Sequence, residues 1–126
     1  MIKKIKFKNI TFNNLNHREF KKIIKKKGYY TFPSAPGIAS INMNKEYYHS
    51  LKKADYVFFD SGFFVLLLRI FKNIKVVRFS GYKFLYYFFN FLKSNKYKVI
   101  FCIDPNNEYS KSNKNFLKKK GFKRIY

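Results

Sequence analysis

Several apolar segments of this sequence are continuous rather than alternating, and each is followed by residues with helical spacing. They are "YYTF" at 29–32, "DYVFFD" at 55–60, "IKVVRFSG" at 74–81 and "YKVIFCID" at 97–104. Strands that are apolar on both faces are typical of parallel sheets covered by helices. The sequence therefore predicts an α/β fold, Rossmann-like, with a mostly parallel sheet and helices on both faces.

The remaining segments complete this prediction. Lys alternates with Ile and Phe in residues 1–12, as in an exposed strand or hairpin. A helix capped by Asn16 and ended by Gly28 is expected next. Further helices are predicted after the 33–37 loop and over 44–54, 61–72, 82–95 and 108–121, with a last strand beginning at 122. We expect a hairpin and helix (1–28) followed by a partial α/β domain (29–126), incomplete at its carboxyl end.

The composition says more about where in the cell the protein is found than about what it does. The formal net charge is +22, which ordinarily suggests an anionic partner. The chain is also rich in Asn, Ile, Phe and Tyr, residues with A/T-rich codons, so a skewed genome explains much of this charge. The single Cys102 excludes an internal disulfide and fits a reducing compartment. The longest apolar run, 63–68, is far shorter than a membrane span, so a cytoplasmic protein is expected.

Asp60 is the first candidate for chemistry, because it ends an apolar strand and precedes the small pair Ser61-Gly62. Open α/β sheets bind their ligands beyond the carboxyl ends of the strands. A carboxylate there could act as a general base, and the small pair allows a ligand to approach the backbone. The alternative is that Asp60 only caps the helix that follows.

Two further loops follow predicted strands. In "TFPSAPGIAS" (31–40), Thr31 and Ser34 offer hydroxyls, and backbone N–H groups at a helix start suit phosphate oxygens. An ordinary structural turn is the alternative. In "VVRFSG" (76–81), Arg78 ends a predicted strand and Gly81 forms a turn, so the guanidinium could clamp a diphosphate.

Other residues are poor candidates. His17 and His49 are far apart on predicted helices, and a metal site there would lack ligands. Cys102 is expected to be a small core residue of a buried strand.

Four segments resemble, in their order along the chain, the WecB/TagA/CpsF glycosyltransferases. They are "FPSAPGIAS", "ADYVFFDSGFFVLLL", "VVRFSGYKFL" and "IFCIDPNNEYSKSNKNFLKKKGF". The resemblance covers about residues 29–122 and only the amino-terminal half of the enzyme. It implies transfer of a sugar, such as N-acetylmannosamine, from a nucleoside diphosphate to a lipid-linked acceptor, in cell-surface polysaccharide or teichoic acid synthesis.

The resemblance also implies roles for individual residues. Asp60 corresponds to the aspartate proposed to deprotonate the acceptor hydroxyl, and Arg78 to the arginine before the glycine turn at Gly81. Ser34 stands where the family usually has Asn. The family reaction needs no cofactor and no metal, and it takes place at the inner face of the cell membrane. An anionic membrane surface is therefore an expected partner, and a homo-oligomer stays open.

Two other interpretations remain. A small basic α/β module that binds nucleic acid would explain the charge and the aromatic residues. It would not explain why small-residue corners follow successive strands, so nucleic acid is not the expected partner. An inactive remnant of the enzyme would differ only in lacking turnover.

Overall fold

The computed structural model describes residues 2–94 and 99–126, which form an α/β structure. The strands are β1 (Lys3–Phe7), β2 (Ile10–Asn14), β3 (Tyr30–Thr31) and β4 (Tyr56–Phe58). The α-helices are α1 (His17–Ile23), α2 (Ala35–Ala39), α3 (Lys45–Lys53), α4 (Gly62–Lys72), α5 (Gly81–Ser94) and α6 (Asn107–Lys119), and Ser40–Asn42 form a 3₁₀ turn. The chain divides into two compact units, Met1–Phe88 and Phe89–Tyr126, with the boundary inside α5.

The sheet belongs to the first unit and has the order β1-β2-β4-β3. β1 pairs antiparallel with β2, whereas β2 and β3 both run parallel to β4. The predicted α/β class and mostly parallel sheet are confirmed. The sheet is nevertheless small and mixed, so the description as Rossmann-like, with helices covering both faces, stays a prediction.

The amino-terminal hairpin is confirmed, but its second strand is not exposed. Lys8 and Asn9 have φ values of 46° and 60°, the left-handed conformation that a two-residue hairpin turn requires. Ile10 and Phe12 are fully buried, because their side chains belong to the core cluster that also contains Phe64 and Val65 of α4. The Lys/Ile alternation therefore describes β1 alone, where Ile5 is buried between exposed lysines.

Val57 and Phe58 of β4 and the next residue, Phe59, are buried. Successive side chains of a strand point to opposite faces of the sheet. Phe59 stacks on Phe12 at 4.7 Å between ring centroids and also contacts Phe64 of α4. Phe58 contacts Phe20 of α1 and stacks on Phe32 at 4.7 Å. Phe58 therefore contacts α1, and Phe59 contacts α4.

Helix α1 begins and ends through side-chain contacts. Asn16 caps its start, and Glu19 completes a capping box by accepting from the Asn16 N–H. The helix ends at Ile23 rather than at Gly28 as expected. The hydroxyl of Tyr30 donates to the carbonyl oxygens of Ile23 and Lys26, so this tertiary contact satisfies the carbonyls of the helix end.

Two predicted strands are wrong. Residues 74–80 form no regular secondary structure and no ladder, and they are held mainly by side chains of other elements. Within 97–104, residues 97 and 98 lie outside the described residues. The rest makes only an isolated parallel bridge, Ile100 to Ile125, and Ile103 is 95% exposed. The prediction of a buried strand there is therefore incorrect for the described part.

The second unit packs around α6. Phe89 of α5 contacts Phe116 and Phe122. Leu117 and Phe122 are buried. Main-chain bonds, such as Cys102 N to Tyr126 O at 2.7 Å, join the last residues to the segment after 99.

Candidate functional site

Asp60 lies two residues after the end of β4 and is held on two sides. Its carboxylate Oδ1 accepts a hydrogen bond from the N–H of Gly81 at 3.1 Å. Its main-chain carbonyl accepts from Nε of Arg78 at 2.8 Å. Among the described residues, no protein group donates to Oδ2 of Asp60. The half-buried carboxylate is thus oriented through one oxygen and has the other oxygen available to a ligand.

The alternative in which Asp60 caps the following helix is wrong. The cap of α4 is Ser61, whose Oγ accepts from the N–H of Phe64 at 3.1 Å. The carboxylate of Asp60 instead faces the first residue of α5, where the positive end of the helix dipole favours an anion. Ser61 therefore has a structural contact, and Asp60 is directed toward a different helix.

Arg78 is exposed and extends beside the start of α4. A Cβ placed on Gly62 would lie 3.5 Å from Nη1 of Arg78, so the guanidinium lies close to the backbone of the Ser61-Gly62 corner. Within the part of the chain that the structure describes, its terminal nitrogens bond to no protein group. Their N–H groups are available to an anionic ligand next to Asp60.

The segment that carries Arg78 is held by hydrogen bonds to Asn14, Arg69 and Phe59 instead of a strand ladder. The Asn14 side chain donates to the Lys75 carbonyl at 2.9 Å and accepts from the Val77 N–H at 2.8 Å. Arg69 donates through Nε and Nη2 to the Val76 carbonyl. The Phe79 N–H donates to the Phe59 carbonyl at 2.9 Å. Arg78 is therefore positioned by residues from β2, α4 and the end of β4.

Asn14 is the residue that sequence reasoning missed. It is buried at the carboxyl end of β2, the same kind of position that singled out Asp60 and Arg78. The signal was the pair Asn13-Asn14 directly after the apolar residues of β2. Its partners lie 61 and 63 residues further along the chain, so the pattern alone did not identify them.

The first loop reaches the same edge of the sheet. Thr31 is level with Val57 in the parallel ladder, and the Phe32–Phe58 stack continues that register by one residue. A Cβ on Gly81 would also lie 3.7 Å from the Phe32 side chain. β3 and β4 thus end side by side, and Ser34 and Asp60 follow those ends by three and two residues.

Ser34 itself has a structural contact. Its Oγ accepts from the Gly37 N–H at 3.2 Å and caps α2, a helix of only five residues. This contact fits the structural-turn alternative for the loop. Binding of phosphate by this loop stays a prediction.

The residues judged to be poor candidates are also located. His17 packs between the rings of Phe79 and Tyr87, each at 5.5 Å, and His49 is exposed on α3. Cys102 is half-buried outside any strand, and burial together with the Asp104 carboxylate raises the pKa of its thiol. Among residues 2–94 and 99–126, no three His, Cys, Asp or Glu side chains gather as metal ligands.

A groove of about 510 Å³ lies beside these loops, between α2 and α4. Its lining includes Ala35 and Pro36, which follow Ser34, and Phe63 and Phe64, which follow Gly62. The two loops of the candidate site therefore continue into the two helices that border the groove.

These observations define an α/β protein with polar side chains gathered beyond the carboxyl ends of parallel strands, the place where such folds bind ligands. The chain belongs to the glycosyl transferase WecG/TagA/CpsF family, whose sequence profile matches residues 1–120. The family predicted from the motifs is thereby confirmed, and it indicates a transferase acting on a sugar donor and an acceptor. No curated protein and no solved structure matches the chain.

One structural finding bears on its relation to membranes. In the described ranges, no helix combines the length and the apolar character needed to cross a bilayer.

Proposed function

We propose that this protein transfers a sugar from a nucleoside diphosphate to a lipid-linked acceptor, with Asp60 as the general base. The observation that carries the proposal is the convergence of Asp60, Arg78 and Gly81, three residues from two loops, at the end of β4. The family match supports the reaction class. An N-acetylmannosamine-like donor sugar and a role in polysaccharide or teichoic acid synthesis follow from the resemblance.

In this reaction, Oδ2 of Asp60 takes the proton of an acceptor hydroxyl while that oxygen attacks the anomeric carbon. The bond from that carbon to the diphosphate oxygen breaks, and the nucleoside diphosphate leaves with the electron pair. The terminal N–H groups of Arg78 stabilise the charge that develops on the leaving group. The Gly81 N–H keeps the carboxylate oriented, because it already occupies Oδ1.

The other residues around the site have supporting roles in this proposal. Gly62, exposed and beside the guanidinium, leaves room for the diphosphate. The hydroxyls of Thr31, Ser34 and Ser61 are proposed to contact sugar or acceptor atoms, since these residues lie at or within three residues of the ends of β3 and β4. Since the acceptor is lipid-linked, we further propose that the protein works in the cytoplasm at the inner face of the membrane.

The experiment is a transfer assay with a nucleoside diphosphate N-acetylhexosamine and a short-chain lipid-linked acceptor. Asp60→Asn keeps the oxygen that accepts from Gly81 but removes the base, so turnover should fall about 10²- to 10⁴-fold with the fold retained. Asp55→Asn is the matched control. Asp55 lies at the other end of the same strand, where its Oδ2 accepts from the Tyr29 N–H. Turnover of Asp55→Asn should stay within about twofold of wild type, because Asp55 has no part in the proposed proton transfer.

Two outcomes would contradict the proposal. Equal turnover in Asp60→Asn and wild type would remove the base role. A wild-type chain that binds oligonucleotides in a salt-dependent way, but neither binds nor uses sugar nucleotides, would favour the nucleic-acid-binding alternative.

A further inference from the structure

Helix α4 has two apolar faces, and the described residues cover only one of them. Phe64, Val65 and Leu68 are buried in the core of the first unit. On the opposite side, an apolar stripe repeats at helical spacing. It consists of Phe63, Leu66, Ile70 and Phe71, which are 64%, 50%, 63% and 75% exposed. Contiguous apolar patches of this kind usually mark a surface that binds a partner.

The groove beside this stripe is also apolar. Phe63, Leu67 and Phe71 of α4 form one side, and Pro36 and Ala39 of α2 lie on the other. Its volume of about 510 Å³ is within the range of sites that hold small ligands. With few polar groups in its lining, the groove suits a hydrocarbon chain better than a sugar or a nucleotide.

The charges around the groove indicate what covers it. Lys8 and Lys72 contribute to the lining, and no acidic residue does. Anionic lipid headgroups attract lysines placed at a membrane surface. A second copy of the chain would bring the same apolar face with the same lysines, because a twofold interface joins identical patches. The arrangement therefore favours an anionic bilayer over self-association.

We propose that the exposed face of α4 and the adjoining groove form a docking surface for an anionic lipid bilayer, with acyl chains in the groove and headgroups at Lys8 and Lys72. This inference rests on the proposed function for its biological setting. Because α4 begins directly after Asp60 and Ser61, docking through this face would keep the candidate site beside the membrane that holds the acceptor.

The test is flotation of the full chain with vesicles of phosphatidylglycerol and phosphatidylcholine, compared with phosphatidylcholine alone. The variant Phe63→Ser/Phe71→Ser removes two exposed rings and should weaken binding by at least about tenfold, since each ring loses its burial in lipid. The control Met43→Ser/Tyr109→Ser changes two other exposed apolar residues and should bind like wild type. Circular dichroism checks that every variant is folded.

The charge contribution is tested separately. Lys8→Glu/Lys72→Glu should weaken binding to the anionic vesicles by about fivefold or more per lysine. Lys22→Glu/Lys118→Glu makes the same change in net charge at exposed positions of α1 and α6 and should have a clearly smaller effect. Equal losses in the two double variants would mean that the attraction is not local, and would overturn the role of the groove.

Two further results separate this inference from its alternatives. Asp60→Asn should float like wild type, since vesicle binding needs no turnover, so an inactive protein would leave the docking surface intact. Unchanged flotation of Phe63→Ser/Phe71→Ser would overturn the inference. So would a wild-type dimer in sedimentation that this variant dissociates without any change in vesicle binding, because the face would then join two copies.

Discussion

Arg78 bonds through Nε to the main-chain carbonyl of Asp60, at 2.8 Å, and not to the carboxylate of that residue. The carboxylate bonds instead to the Gly81 N–H. The guanidinium and the carboxylate are therefore neighbours that form no direct hydrogen bond with each other. The proposed mechanism uses this separation: the guanidinium would bind an anion while the carboxylate would accept a proton.

The contact predicts a specific result for Arg78→Lys. Lysine keeps the positive charge but has a single nitrogen. It cannot donate to the Asp60 carbonyl through one nitrogen and to a diphosphate through two others. We expect kcat/KM for the sugar nucleotide to fall by about 10²-fold or more, with little change in thermal stability because the side chain is exposed. Steady-state kinetics measure this.

Arg18→Lys, at an exposed position of α1, is the control for the same chemical change. If both lysine variants keep wild-type kcat/KM, a positive charge alone is sufficient at position 78. Bidentate hydrogen bonding of the diphosphate is then not part of the mechanism.

Asn14 is predicted to matter for stability as well as for the position of Arg78. Asn14→Ala removes both hydrogen bonds to the 75–77 segment and leaves the Val77 N–H without its partner. The loss should be about 2 kcal/mol in the free energy of unfolding, measured by urea titration. Asn90→Ala, exposed on α5, should be neutral or slightly stabilising. Equal stability of the two variants would show that the segment is held mainly by other contacts.

Two glycines should respond differently to alanine. A Cβ on Gly37 would lie 2.7 Å from the Tyr47 hydroxyl and 3.1 Å from two ring carbons, so Gly37→Ala forces the half-buried ring to move. We expect a loss of about 1–3 kcal/mol. A Cβ on Gly62 meets nothing closer than 3.5 Å, and it would improve helix propensity.

Differential scanning fluorimetry of the two alanine variants distinguishes them. Gly37→Ala should melt at a lower temperature than wild type, whereas Gly62→Ala should melt at the same temperature or slightly higher. The reverse order would mean that the packing of Tyr47 against α2 is not tight.

Tyr30 predicts a dependence of stability on alkaline pH. Burial, followed by the nearby Tyr56 and Asp55, raises the pKa of Tyr30 to about 12. An unfolded tyrosine has a pKa of about 10, so the folded state holds this proton more tightly. Its contribution to stability is complete below pH about 10 and is lost as the pH rises toward about 12.

Tyr30→Phe tests this contribution. It removes the bonds to the Ile23 and Lys26 carbonyls, so it should lower stability by about 1 kcal/mol at neutral pH. It should also reduce the difference in urea midpoint between pH 9 and pH 11. Tyr82→Phe, at an exposed position of α5, should change neither value. If the urea midpoint of Tyr30→Phe still changes between pH 9 and pH 11 as much as that of wild type, other tyrosines cause the change.

The candidate site could be predicted in part because its residues follow one simple rule. Asp60, Arg78 and Ser34 each come after an apolar segment, and the ends of parallel segments meet at one edge. The rule did not reveal which atoms would meet. The cap of α4 is Ser61 and not Asp60, and the partner of Arg78 is a carbonyl, and the order of residues along the chain specifies neither contact.

The predicted strands over 74–81 and over the described part of 97–104 were wrong for a related reason. An apolar segment is compatible with a strand, but a ladder needs a neighbour in register. Residues 74–80 are held instead by Asn14 and Arg69, and Phe101 and Ile103 are exposed. Apolar character alone could not distinguish these cases.

What the sequence by itself determined is local and periodic. The capped start of α1, the amino-terminal hairpin, the α/β class and the family could be read from residues close together in the chain. Only the tertiary structure decided which strands pair, which side of α4 stays uncovered, and how Asn14 positions the segment of Arg78. Those features depend on contacts between residues tens of positions apart, whose geometry no short stretch of sequence contains.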